Sequence, residues 1–187
     1  MNQTDIAALR ANCRHRPPSH EAPWQHVPWQ VRSYVVATDA WALLAVRGKW
    51  TEKTGYKRPV KALAAVWSWL ADNRPATFKT TVDLLRLWCA VEIPQLNDED
   101  EILSDNEKNA AACGRLRMTL FDRRLIDRVL LGRDGGEVVT VRVDADTSQW
   151  ATIRGDGWTA LVMPMWMVGD GREPHEVPRF PDEMALR

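Results

Sequence analysis

The spacing of apolar positions changes several times along the chain, and each change predicts an element. In the second half, residues 115–120 alternate and carry Met118 and Leu120, which predicts a strand. Asp122 is placed to cap a short helix over 123–131. Within that helix Leu125, Ile126, Val129 and Leu130 form one apolar stripe, leaving Arg123, Arg124, Asp127 and Arg128 on the other face. Gly132, Gly135 and Gly136 end the helix and turn the chain. Val139, Val141 and Val143 then alternate with Thr140 and Arg142, the pattern of a half-buried strand. Two more strands are predicted over 150–154 and 158–165, joined by the turn sequence Arg154-Gly155-Asp156-Gly157.

The first half is less regular. Thr4 or Asp5 can cap a short helix containing Ile6, Ala7, Leu9 and Arg10. Residues 12–29 are rich in Pro and His and read as a polar loop. Residues 31–46 read as a β-hairpin turning at Thr38-Asp39, although the continuous apolar run 41–46 fits a buried helix segment equally well by periodicity. Residues 48–58 form a basic, glycine-containing loop with Lys49, Lys53, Lys57 and Arg58. Pro59 suits the first turn of a helix whose apolar face runs from Val60 to Leu70. A second helix is predicted from residue 80 or 81 to 91, and the two helices can pair as an αα-hairpin. Residues 92–109 are acidic and poor in aromatics, a linker. Residues 168–187, punctuated by Gly and Pro, predict an extended tail anchored at most by Phe180, Met184 and Leu186.

Composition refines this outline. A chain of 187 residues with 45% hydrophobic content is long enough for one domain with a real core. The formal net charge is zero, which argues against a simple DNA-coating protein, but the charge is unevenly placed. Residues 1–61 hold ten basic and four acidic side chains, and residues 92–107 hold seven acidic and no basic ones. That distribution fits a protein touching phosphate on one face only. Ten tryptophans are many. Each buries a large area while its indole N–H needs a partner, which places several at a core edge or an interface. Three widely spaced cysteines predict no disulfide framework and point to a reducing cytoplasm. No signal peptide or membrane span is expected.

The chemistry-bearing residues are few. Cys13, His15, His20 and His26 are of metal-ligating type, but their spacing fits no standard zinc module, and no metal or cofactor is expected. Asp144, Asp146 and Asp156 read better as turn carboxylates than as a catalytic metal site. There is no phosphate-cradling glycine loop, no nucleophile elbow and no His-Glu metal helix, so no catalytic residue is named and an enzyme is not expected.

Two stretches carry a family resemblance. Leu161-Val162-Met163-Pro164-Met165 closes the strand-helix-three-strand order of the second half and resembles the end of a bacterial DNA sliding clamp domain, that of the DNA polymerase III β subunit. Family members read close to V-M-P-M-R-L there, and in this chain Trp166-Met167 replace the Arg-Leu. Upstream, Val36-Ala37-Thr38-Asp39 repeats the family's V-A-T-D, and Leu44-Ala45-Val46 resembles the family's next strand segment. Between them the family has Gly-His-Arg where this chain has Ala40-Trp41-Ala42-Leu43. The resemblance covers about half of the chain and decides the 41–46 run in favour of strand.

The resemblance implies an α+β fold, with helices on one face of an antiparallel sheet. Residues 50–112 are then a helical insertion and acidic linker inside a single clamp-like domain spanning 1–187. It implies a non-enzymatic processivity or tethering factor that holds duplex DNA without reading sequence. Arg10, Arg123, Arg124 and Arg128 on the inner helices are the candidate phosphate contacts, with Lys49, Lys53, Lys57 and Arg58 in the basic loop. It further implies an apolar pocket for polymerase or other clamp-binding peptides, carried by position onto Thr38, Leu43, Leu44, Val162, Met163, Pro164 and Met165. Family clamps string several such domains together. A single-domain chain would therefore close a ring only as a homo-oligomer, and otherwise would serve as a protein-interaction subunit of a nucleoprotein or defence complex that does not encircle DNA.

Overall fold

The computed structural model describes residues 1–13, 25–51, 60–71, 74–90, 113–116, 119–143 and 150–163. The chain opens with helix α1 (Gln3–Ala11), followed by strands β1 (Trp29–Val31), β2 (Tyr34–Thr38) and β3 (Ala42–Arg47). Helix α2 (Val60–Leu70), strand β4 (Phe78–Thr81) and helix α3 (Val82–Ala90) come next. Strands β5 (Cys113–Leu116) and β6 (Thr119–Asp122) lead into helix α4 (Arg123–Val129). Strands β7 (Val138–Arg142), β8 (Ala151–Gly155) and β9 (Trp158–Val162) complete the fold.

Seven strands form one antiparallel sheet in the order β1-β2-β3-β9-β8-β7-β4, and β5 and β6 pair separately. Two meanders thus meet at the β3–β9 pair, where Ala42 lies opposite Val162, Leu43 opposite Leu161 and Leu44 opposite Ala160. The period-two alternation of the strands sorts their side chains between two cores. On one face Val35, Ala37, Leu44, Val46, Val139, Val141, Ile153, Ala160 and Val162 pack against Ala8 and Leu9 of α1, Val82 and Leu85 of α3, and Ile126 and Val129 of α4. On the other face Trp29, Val31, Val36, Leu43, Ala45 and Leu161 pack under Val66, Trp67, Trp69 and Leu70 of α2. Arg32, in the β1–β2 turn, stacks over the Trp67 ring at 3.6 Å and ties α2 to that hairpin.

Several expectations are met and several corrected. The helix capped by Asp122 is present, the Asp122 side chain accepting from Arg124 N. The apolar run 41–46 is a strand. The strand expected over 115–120 is instead two short strands in a hairpin. Helix α1 is capped by Asn2 rather than Thr4 or Asp5. Asn2 Oδ1 accepts from Asp5 N at 2.8 Å and the Asp5 carboxylate accepts from Asn2 N at 3.2 Å, a capping box. The helix expected from 80 or 81 starts at Val82, because residues 78–81 pair with β7 as the sheet's edge. Helices α2 and α3 do not form an αα-hairpin, since they cover opposite faces of the sheet. The stretch read as a helical insertion therefore also supplies an edge strand and part of the core. The acidic linker and the tail at 168–187 lie outside the described residues.

Candidate nucleic-acid and partner interfaces

Helices α1 and α4 lie side by side on one face of the sheet, and buried polar groups fix their relation. Asn12, fully buried, donates from Nδ2 to Ala8 O at 2.9 Å and to Arg128 O at 3.2 Å, joining the end of α1 to α4. Arg133, just past α4, donates to the Asp5 carboxylate at 2.9 Å and lies over the Trp158 ring at 4.9 Å. Gly132, at φ 71°, lets the chain turn there, and a Cβ at this position would strike the Thr4 methyl of α1.

The candidate phosphate contacts divide into distinct groups. Arg10 is exposed in the last turn of α1, and Arg123 is half-buried at the start of α4. Arg124 is exposed but grips Asp122 with two nitrogens, Nε at 3.0 Å and Nη2 at 2.8 Å. Arg128 is turned inward onto the Asp39 carboxylate of the β2–β3 turn, a pair with both partners largely buried. Lys49 is exposed beyond β3. Lys53, Lys57 and Arg58 lie outside the described residues.

The candidate peptide-pocket residues among the described ones come together in space, but mostly as core. The β3–β9 pairing sets Leu43 opposite Leu161 and Ala42 opposite Val162, and Met163 N donates to Trp41 O at 2.8 Å. Leu44 and Val162 are fully enclosed on the helical side, while Leu43 is buried on the opposite face. Thr38 is buried, its hydroxyl donating to Ala42 O at 2.6 Å and accepting from Ala40 N at 3.1 Å. Met163 is half-buried, and Trp41 beside it is 57% exposed. Pro164 and Met165 lie outside the described residues.

Asp39 is the hub of this end, a role that no local pattern in the sequence signals. Its Oδ1 accepts from Trp41 N and Ala42 N, both at 2.9 Å, and its Oδ2 takes Arg128. Position 40, which the family pattern gives to Gly, is Ala40 at φ 83°, a left-handed backbone conformation. Cys13 is buried nearby, its Sγ 3.5 Å from Leu9 O. Burial pushes its thiol up from 9.0 to about 12, with the Asp39 charge adding to the rise. A thiol so held is a poor thiolate ligand. His15 and His20 lie outside the described residues, and no metal-competent group of three or more His, Cys, Asp or Glu occurs among the described ones.

No protein-family model matches the chain, and no curated protein matches its sequence. Among solved structures, the DNA polymerase III β subunit of Thermotoga maritima matches with a TM-score of 0.52 at 12% identity, over 91% of this chain. The fold is clamp-like. The chain spans 62% of the length of that β subunit. At this identity the likeness is one of fold, and in this clamp-like fold α1 and α4 occupy the helical face while the sheet carries α2 on its back. Among the described residues no helix is long and apolar enough to cross a membrane.

Proposed function

We propose that the protein is a non-enzymatic clamp-type tethering factor that holds duplex DNA through its helical face without reading sequence. The observation that carries this reading is the clamp-like arrangement of α1 and α4 on one face of the sheet, with Arg10, Arg123 and Arg124 at that face. Such side chains bind phosphate loosely enough to permit sliding, and no catalytic step is required. Arg124 is 72% exposed, and its guanidinium fork has five N–H donors, so it can meet a phosphate while it still holds Asp122. A closed ring would need several copies of this chain, and its protein partners would be polymerase-type clamp-binding peptides.

The test is duplex binding at several salt concentrations, on circular and linear DNA, with the oligomer mass measured alongside. Replacing Arg10, Arg123 and Arg124 by Ala should weaken binding and flatten the slope of log K against log salt by roughly one unit per lost phosphate contact. A ring-sized oligomer retained on circles and lost on linearisation supports encirclement. Duplex binding that is absent, or unchanged in the triple variant, removes the DNA role.

The second reading is a clamp-fold interaction subunit that does not encircle DNA. What favours it is that Arg128 and Arg124 already hold carboxylates of the chain itself, and that Trp41 stands exposed beside Met163. A monomer indifferent to DNA, in which Trp41→Ala abolishes capture of a partner, would support it.

A further inference from the structure

The back of the sheet is divided along its width. Over β1, β2, β3 and β9 it is apolar and covered by the α2 tryptophans. Over β7 and β8 the outward positions are Thr140, Arg142, Thr152 and Arg154. The register pairs Thr140 with Arg154 and Arg142 with Thr152 across the two strands. Hydroxyl and guanidinium therefore alternate in a two-by-two checkerboard, with the two arginines on a diagonal rather than opposed. Lys79 on β4 lies opposite Thr140 and extends the same row with another exposed cation. Residues 74–76 cross this region, so that Arg74 and Ala76 join the four β7–β8 residues in lining a depression of about 180 Å³.

Cations of one chain gathered at one depression repel each other, and the repulsion falls when an anion sits between them. Arg74, Arg142 and Arg154 each interact with other groups of the chain as well. A guanidinium carries five N–H donors in a planar fork, so an existing partner leaves donors for a second acceptor. Size narrows the ligand. The depression is well below the ~300 Å³ at which pockets begin to take drug-sized molecules, so it suits a small anion and not a whole nucleotide. Tetrahedral geometry suits the donor set, because a phosphate offers several acceptor oxygens to guanidinium forks and can also accept from Thr hydroxyls.

We propose that this depression is a binding site for a phosphate-class oxyanion, gripped by Arg142 and Arg154 from the sheet and Arg74 from the crossing segment, with the hydroxyls of Thr140 and Thr152 between them. It lies on the face opposite α1 and α4 and does not rest on the DNA reading. The anion is either free or the terminal phosphate of a nucleic-acid strand. The two sources share the same chemistry at the site.

The experiment titrates the full chain at low ionic strength with pyrophosphate, and separately with a short single strand bearing a 5′-phosphate and its unphosphorylated twin. Intrinsic fluorescence is a suitable readout, since Trp150 directly precedes β8 and packs on Trp69 with ring centroids 5.3 Å apart. Saturable pyrophosphate binding is expected. Arg142→Ala and Arg154→Ala should each weaken it about tenfold or more, and Thr140→Val by less, since a charge-assisted hydrogen bond outweighs a neutral one. A 5′-phosphate that tightens strand binding assigns the site to a strand end. Equal affinity of the two strands assigns it to the free anion. Circular dichroism and thermal melts confirm that the variants fold. No saturable binding of pyrophosphate, or binding that survives the Arg142→Ala/Arg154→Ala double variant in a folded chain, overturns the proposal.

Discussion

The Asp39–Arg128 pair decides whether Arg128 is a structural strut or an available DNA contact, and it can be measured. The pair joins residues 89 apart in sequence, with side chains 11% and 25% exposed. Asp39→Ala removes the partner of a mostly buried guanidinium and leaves the amides of Trp41 and Ala42 without their acceptor. Breaking a buried pair from one side costs about 3–5 kcal/mol, and the residual exposure of Arg128 lowers the expectation to about 2–4 kcal/mol. Asp39→Asn keeps an oxygen for both amides and loses only the charge, so about 1–2 kcal/mol is expected. Urea unfolding followed by tryptophan fluorescence gives each value, and Arg128→Ala completes a double-mutant cycle with an expected coupling of about 1–2 kcal/mol. Asp39→Asn should also strengthen duplex binding if DNA meets this face, because it frees a cation. A cost of Asp39→Ala below about 0.5 kcal/mol, or a coupling near zero, would falsify the strut reading.

The same region yields further expected outcomes. Ala40 occupies a left-handed conformation, so Ala40→Gly should stabilise the fold by about 0.5–1 kcal/mol, the relieved strain exceeding the added chain entropy. A loss of stability in the same urea assay would contradict that account. Cys13 should resist iodoacetamide at pH 8 in the native protein and react once urea unfolds it, as peptide mapping would reveal. Because its folded-state pKa is raised, its contribution to stability is fully present below about 9 and is lost as pH rises towards about 12. The advantage of the native chain over Cys13→Ala should accordingly shrink between pH 8 and pH 10.5, and a constant difference would count against the raised thiol.

Local chemistry made much of this protein legible from its residues alone. Asp122 before an apolar stripe predicts helix α4 and its cap, because capping depends on groups within a few residues. The alternation of Val139, Val141 and Val143 predicts strand β7, since a strand's two faces differ at period two. The resemblance of residues 44–46 to a clamp strand segment decides the ambiguous run 41–46 in favour of strand, and β3 is there. Which neighbour each surface would find is not written locally. Residues 78–81 look like the approach to a helix and become a strand because β7 offers an unpaired edge. Helices α2 and α3 each carry an apolar face, yet the sheet has two sides to cover and takes one on each. The polar face of α4 predicts four solvent-facing charges. Tertiary packing instead turns Arg128 onto Asp39, because a carboxylate fixed by two backbone amides is a stronger partner than water. The checkerboard of Thr and Arg likewise exists only once β7 and β8 are in register. Periodicity and capping act over a few residues and survive in any fold. Register, sidedness and ion-pair choice are settled between segments far apart in the chain, and only the folded structure decides them.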